Sequence, residues 1–275
     1  MTSAKAFAPA KINLTLHVTG QRADGYHLLD SLVMFADFGD RITVQLAPQT
    51  RLNVDGPMAA GVPDDGRNLV VQAADFIGVT ADIRLQKHLP AAAGIGGGSS
   101  DAAATLRALR DLSGKVIPGD TLPLGADVPV CMVARCSRMR GIGEQVETLP
   151  DTPPLAVVLV NPRVDLPTPT VFQHLRDKSN PSMPESLPHW RGTAEFIAWL
   201  ATQRNDLQAA ALSLSPAVGE TLAALSALPD CQLARMSGSG ATCFGVFPTL
   251  SAAQAAAASL TQTHPNWWVQ PCTLT

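Results

Sequence analysis

The stretch Pro90 to Ala104 reads PAAAGIGGGSSDAAA, and it constrains the fold more than any other part of the chain. Glycine at this density carries a large conformational-entropy cost, so it suits either a flexible linker or a bend whose backbone a ligand must approach closely. Before it, Ile83 to Leu89 reads as a strand. After it, Ala102, Leu106, Leu109 and Leu112 share one helical face, while Arg107, Arg110 and Asp111 lie off it. The unit is strand, glycine-rich turn, helix. Familiar phosphate-binding patterns do not fit: no lysine follows Gly98, as a Walker A loop requires, and Ser99 stands where a dinucleotide fingerprint needs its third glycine. The physics is nevertheless shared. Gly96, Gly97 and Gly98 remove side chains so that successive N–H groups can turn inward, and a helix starting near Ser99 adds its positive end. Ser99 and Ser100 supply hydroxyl donors. The same residues also suit a plain helix cap, with Ser99 or Ser100 as the capping side chain.

The 275 residues suffice for one large domain or two modest ones, and 46% hydrophobic against 16% charged residues argues for a folded globule. A net charge of −3 leaves no electrostatic footprint for nucleic acid, and no run of Lys or Arg suggests a membrane surface. No apolar run reaches the roughly 18 residues that span a bilayer. Pro9, Lys11 and Asn13 interrupt any export signal at the start. The five cysteines are odd in number and contain no Cys-x-x-Cys pair, so buried free thiols in a reducing cytoplasm are expected.

Along the chain, Ala6 to Val18 and Arg41 to Leu46 have strand character and Asn68 to Ile77 helical spacing. Leu155 to Val160 reads as a strand, Asn180 to Pro188 as a proline-rich loop, and Ala194–Leu200 and Leu222–Leu228 as helices. The strands QLARM and CFGVF flank the turn SGSGAT, followed by an alanine-rich helix and a last strand at WWVQP. This order predicts an α+β protein with a second domain beginning near residue 155, giving domains 1–155 and 156–275.

Five ordered motifs carry a resemblance. PAxxGxGGGSSDAA resembles the central signature of the galactokinase, homoserine kinase, mevalonate kinase and phosphomevalonate kinase (GHMP) superfamily, and MSGSGATCFGVF, Met236 to Phe247, resembles its third motif. PAKINLTLHVTGQRADGYHLLDSL, LGADVPV and PTPxxF resemble one branch, whose members phosphorylate an alcohol bearing a cytidine diphosphate group in non-mevalonate isoprenoid synthesis. The resemblance implies a two-domain GHMP kinase fold. Its N-terminal ATP-binding domain would be like ribosomal protein S5 domain 2, and its C-terminal domain a ferredoxin-like α/β sandwich. It further implies ATP as co-substrate, Mg²⁺ with no protein ligand assigned, and a monomer or weak homodimer that engages a small molecule.

Residue by residue, the resemblance makes Asp127 the general base and Lys11 its cationic partner. ATP would be held by Pro90, Ala91, Ala92, Ala93, Gly94, Ile95, Gly96, Gly97, Gly98, Ser99 and Ser100, with Asn68 near the adenine. Tyr26 and Phe172 match rings on the two faces of the cytosine, and His27 a hydrogen-bonding group at its edge. Asn13, Thr168 and Pro169 match positions beside the acceptor alcohol. Two departures stand out. The segment from Asp111 to Pro129 is shorter than the branch usually shows, and Ala91, Ala92 and Ala93 replace residues that are often glycine. A homoserine- or mevalonate-type kinase, or a catalytically silent binding protein of the same fold, are the alternatives.

Overall fold

The computed structural model describes residues 2–275. In chain order, the elements of the first half are β1 (Ser3–Asn13), β2 (His17–Gln21), β3 (His27–Leu46), β4 (Arg51–Asp55), α1 (Leu69–Ile77), β5 (Ala81–Gln86), α2 (Gly97–Ser113) and α3 (Val128–Val133). There follow β6 (Ser137–Gly141), β7 (Gln145–Thr148), β8 (Leu155–Asn161), α4 (Thr168–Gln173), α5 (Thr193–Ala201) and α6 (Gln208–Leu214). The chain ends with α7 (Pro216–Ser226), β9 (Leu233–Met236), β10 (Cys243–Phe247), α8 (Leu250–Thr263) and β11 (Trp268–Leu274).

Two compact units result, and neither is continuous in sequence. One holds the chain up to Lys11, Phe38–Ala91 and Gly96–Ala134; the other holds Ile12–Asp37, Ala92–Ile95 and Arg135–Thr275. The single cut expected near residue 155 therefore does not describe this division. The physical reason is that β1 and β3 are long enough to supply residues to both units, and the glycine-rich bend passes from one to the other and back.

In the first unit, β5 alternates strictly: Ala81, Ile83 and Leu85 are buried while Asp82 and Arg84 face out. It pairs parallel to β4 and antiparallel to Arg41–Leu46 of β3. Helices α1 and α2 pack against each other, and α2 also packs against α3. The face of α2 that makes this possible is lined by alanine and leucine, with Ala102, Leu106 and Leu109 fully buried. Gly39 marks the closest approach of β1, because a Cβ there would lie 2.1 Å from the carbonyl oxygen of Ala8.

In the second unit, β11, β8, β10 and β9 form an antiparallel run, with β8 opposite β10 from Val160↔Cys243 to Ala156↔Phe247. Its helices α7 and α8 cover these strands around a core that includes Val158, Val160, Val218, Leu225, Phe247 and Leu260. The hairpin β6–β7 and strand β2 extend the His27–Asp37 part of β3. Among the described residues no single helix is long and apolar enough to cross a membrane. The pair α6 and α7 reaches that length only together, bent by 118°, with Ala211, Val218 and Leu225 in the core.

Several expected elements differ in extent. The strand predicted over Ala6 to Val18 is two strands, interrupted at 14–16, where the amide of Leu16 pairs instead with the carbonyl of Arg204. Arg41 to Leu46 is the end of a 20-residue strand, whose earlier part the pattern did not reveal. Helix α7 begins at Pro216, six residues before the expected start, because proline suits the first helical turn. The helix expected near Ser99 begins at Gly97, capped by Gly96 at φ +62°.

Candidate active site

Gly96 caps α2 in a left-handed conformation and contributes no side-chain capping bond, so the serine cap is not what forms. Ser100 N–H already donates to the Gly96 carbonyl at 2.9 Å. The amides of Gly97, Gly98 and Ser99 have no carbonyl ahead of them within the helix, and they face outward at its positive end. The Ser100 hydroxyl is buried without a hydrogen-bond partner. Such a group favours an incoming acceptor, since an unmade buried bond costs about 1–3 kcal/mol.

Lys11 lies directly beside this start. A Cβ on Gly96 would come within 3.1 Å of the Lys11 Cβ and 3.3 Å of its Cε, so a side chain there would crowd the lysine stem. The Lys11 ammonium meets the Asp127 carboxylate at 2.7 Å, with side-chain exposures of 4% and 32%. Asp127 precedes α3, yet its carboxylate makes no capping bond to that helix. Its segment also borders the loop: a Cβ on Gly125 would be 3.8 Å from the Ser99 hydroxyl. The shortened stretch ahead of Asp127 forms no helix after Ser113 except the single 3₁₀ turn Leu122–Leu124. Asn68 caps α1, its Oδ1 accepting from Val70 N–H at 2.9 Å and its Nδ2 donating to the Pro63 carbonyl at 2.7 Å.

In the second unit, residues 92–95 of the bend interlock with the turn 237–242. A Cβ on Gly94 would lie 2.5 Å from the Ser237 carbonyl oxygen and 2.6 Å from that of Gly240. The Ser237 hydroxyl donates to the Gly94 carbonyl at 2.9 Å and accepts from the Asn13 amide at 3.1 Å. Thr242 N–H donates to the Ala93 carbonyl. Ala92 itself adopts φ +50°, a region where glycine is more comfortable.

The remaining expected residues of this unit fall into two groups. Asn13 donates through Nδ2 to the Ser31 hydroxyl at 2.8 Å and keeps a buried Oδ1 without a partner. Thr168, followed by Pro169 in the first turn of α4, shares a 2.7 Å hydrogen bond with the Ser239 hydroxyl. Phe172, on the same helix, stacks on His27, ring centroids 4.7 Å apart at 25°. His27 Nε2 is buried and unpartnered. Burial, helped by the nearby charge of Lys178, holds its pKa below the usual histidine value, so the ring is neutral near pH 7. Tyr26 stands 58% exposed in the turn before β3. The expectation of Tyr26 and Phe172 on two sides of one base thus meets an arrangement in which one face of Phe172 is already covered by His27.

Sequence reasoning passed over the groups that hold these parts in place. Asn205 Nδ2 donates to the carbonyls of both Met236 and Gly238 at 2.8 Å, fixing the 237–242 turn. Asp40 and Lys87 form a buried cluster with Asp101, whose carboxyl burial pushes up to about 7 against the pull of Lys87. An acidic residue inside an apolar strand was the available signal for Asp40. All five cysteines are free, four of them buried and Cys231 half-buried.

A helix with a bare first turn beside the Lys11–Asp127 pair, in an α+β protein of this topology, suits a small-molecule kinase of the GHMP type. The matching family models agree: "GHMP kinases N terminal domain" covers residues 68–135 and "GHMP kinases C terminal" covers 189–266. A relative from Dinoroseobacter shibae named 4-diphosphocytidyl-2-C-methyl-D-erythritol kinase is 57% identical over 98% of this chain and 94% of its own length. One of the same name from Roseobacter denitrificans is 49% identical over 98% and 93%. A crystal structure of 4-(cytidine 5'-diphospho)-2C-methyl-D-erythritol kinase superposes with a TM-score of 0.79 at 33% identity, covering 98% of both chains. Homoserine kinase from Cytophaga hutchinsonii, at 17% identity, 100% and 95% coverage and a TM-score of 0.66, shares the fold. The chain belongs to the 4-diphosphocytidyl-2-C-methyl-D-erythritol kinase family of GHMP kinases.

Proposed function

We propose that the chain transfers the γ-phosphoryl group of ATP to the 2-hydroxyl of 4-diphosphocytidyl-2-C-methyl-D-erythritol, giving the 2-phosphate and ADP in isopentenyl diphosphate synthesis. The observation that carries this reading is the 2.7 Å Lys11–Asp127 pair lying beside the Gly96 start of α2. Phosphoryl transfer needs positioning and charge stabilisation more than covalent help from the protein. The amides of Gly97, Gly98 and Ser99 and the hydroxyls of Ser99 and Ser100 receive the phosphate oxygens, and Asn68 lies toward the adenine. Mg²⁺ would accompany ATP as part of the co-substrate and would supply positive charge against the phosphate oxygens, with no residue of this chain assigned as its ligand.

As the acceptor oxygen bonds to the γ-phosphorus, the bond from that phosphorus to the β–γ bridging oxygen breaks, and the hydroxyl proton passes to Asp127. Lys11, ion-paired to that carboxylate, holds it in line. The acceptor carbon also bears a methyl group, so alignment supplies much of the acceleration. Tyr26, His27 and Phe172 recognise the cytosine, and Asn13, Thr168 and Pro169 the methylerythritol. The unpartnered Asn13 Oδ1 and His27 Nε2 support these assignments, because both are buried acceptors or donors awaiting a bond. The free, mostly buried thiols support a cytoplasmic setting.

A coupled ADP-release assay with the cytidine diphosphate alcohol, homoserine and mevalonate tests the proposal. Turnover with the first alone is expected. Faster release with either other alcohol, or none with any, overturns it.

A further inference from the structure

Three buried charged side chains fasten both stems of the glycine-rich bend, all within the first unit. The Oδ1 of Asp40, in β3, accepts from the backbone N–H of His88 at 2.5 Å and of Leu89 at 2.9 Å, the residues that lead into Pro90. Its Oδ2 accepts from the Lys87 ammonium, which also donates to Asp101 Oδ2 at 2.8 Å. Asp101 lies one turn into α2, on the far stem. The three side chains are 0%, 4% and 4% exposed for Asp40, Lys87 and Asp101. The lysine backbone is pinned as well, its N–H donating to the Asp55 carbonyl at 2.7 Å and its carbonyl accepting from Met58 N–H at 3.1 Å.

Burying three charges is expensive, and an apolar contact of the same volume would usually be no less stable. An ammonium near the positive end of a helix is unfavourable too, and a Cβ on Gly97 would sit only 3.7 Å from the Lys87 Nζ. The arrangement makes sense if the spacing of the two stems must be fixed, since the ammonium ties the strand-side Asp40 to the helix-side Asp101. Burial alone would lower the proton affinity of Lys87, but Asp101 and Asp40 more than reverse this, so the ammonium stays charged.

We propose that Asp40, Lys87 and Asp101 form a positioning brace for ATP. It holds the two stems at the spacing that lets the first-turn amides of α2 converge on phosphate. The inference rests on the kinase reading above and deepens it.

Isothermal titration separates the two. Wild type, Asp101→Ala and Asp101→Asn are each titrated with a Mg²⁺-loaded, non-hydrolysable ATP analogue and, separately, with the cytidine diphosphate alcohol. Loosening of the supporting contacts should weaken analogue binding by at least about tenfold in Asp101→Ala. Binding of the alcohol should change less than about twofold, the behaviour of an independent site. Asp101→Asn, whose amide oxygen can still accept from Lys87, should recover analogue binding to within about threefold. Asp101→Ser carries the same expectation if the alanine variant does not fold. Unchanged analogue affinity, or equal loss for both ligands, overturns the brace and leaves the kinase reading standing. Failure of the wild type to bind the analogue overturns both.

Discussion

Asp127→Ala and Lys11→Ala break the same ion pair, but they leave different remainders behind. With Asp127 removed, the Lys11 ammonium, carried on a side chain that is 4% exposed in the intact protein, has lost its carboxylate. An uncompensated buried charge of that kind costs about 3–5 kcal/mol. With Lys11 removed, the Asp127 carboxylate is still 32% exposed and can turn to water. The loss is then the modest value of a partly solvated pair plus the packing of the lysine stem on Gly96, about 1 kcal/mol together. At roughly 2–4 °C per kcal/mol for chains approaching this size, the aspartate variant should melt at least about 6 °C lower and the lysine variant only about 2–4 °C lower. Both should lose at least about a hundredfold in turnover. Asp127→Asn is the internal control. It offers Lys11 an oxygen and should keep most of the stability, yet it cannot take the proton and should remain as slow as the alanine variant. Differential scanning fluorimetry gives the melting order and the coupled ADP assay gives the rates. Equal melting of the two alanine variants, or near wild-type turnover in Asp127→Asn, would refute the reasoning.

Other positions carry their own tests. Gly94→Ala combines a left-handed φ of +73° with a Cβ 2.5 Å from the Ser237 carbonyl oxygen, so at least about 2 kcal/mol of stability should be lost. Gly61→Ala, at φ +78° with nothing within 4 Å, should lose only the backbone part, about 1 kcal/mol; denaturant midpoints that rank the two alike contradict the packing argument. Tyr26→Ala removes an exposed ring and should leave the melting temperature within about 1 °C. It should raise the KM for the cytidine diphosphate alcohol about 5- to 100-fold, the value of one stacked base, and leave that for ATP unchanged. An equal effect on both KM values contradicts the stacking role. For pH, the Asp101 carboxyl sits at about 7 in the fold against about 3.9 unfolded, so its contribution to stability is full below about pH 4 and is lost as pH rises to 7. Asp101→Asn should therefore gain stability relative to wild type between pH 4.5 and pH 8, and parallel pH–melting curves would contradict this.

How much of this was readable in the chain differs from place to place. Helix α1 was legible almost to the residue, because Asn68 is a strong capping side chain and Gly78 closes the helix at φ +66°. The strand–bend–helix unit was legible for the same local reasons. The first 11 residues of β3 were not, since His27 to Asp37 mixes two aspartates with apolar residues and its pairing with β2 and β6 is settled by distant partners. Lys11 and Asp127 emerged as a pair only through motif resemblance: 116 positions separate them in the sequence, and composition cannot report a contact of that range. The meeting of Asp40, Lys87 and Asp101 stayed hidden because tertiary placement sets it: Asp40 lies inside a strand, Lys87 just past one and Asp101 near the start of a helix. The stacking of His27 on Phe172 likewise depends on tertiary placement across 145 positions, which no local pattern encodes.

Under the proposed function, the bare start of α2 and the neighbouring carboxylate move a phosphoryl group to an alcohol. Phosphorus-31 NMR of the protein mixed with Mg²⁺, ATP and 4-diphosphocytidyl-2-C-methyl-D-erythritol reads this directly. A new phosphomonoester resonance should grow in step with ADP in wild type and be absent with Asp127→Asn. ADP formed without that resonance, or the resonance formed equally by the variant, would contradict it.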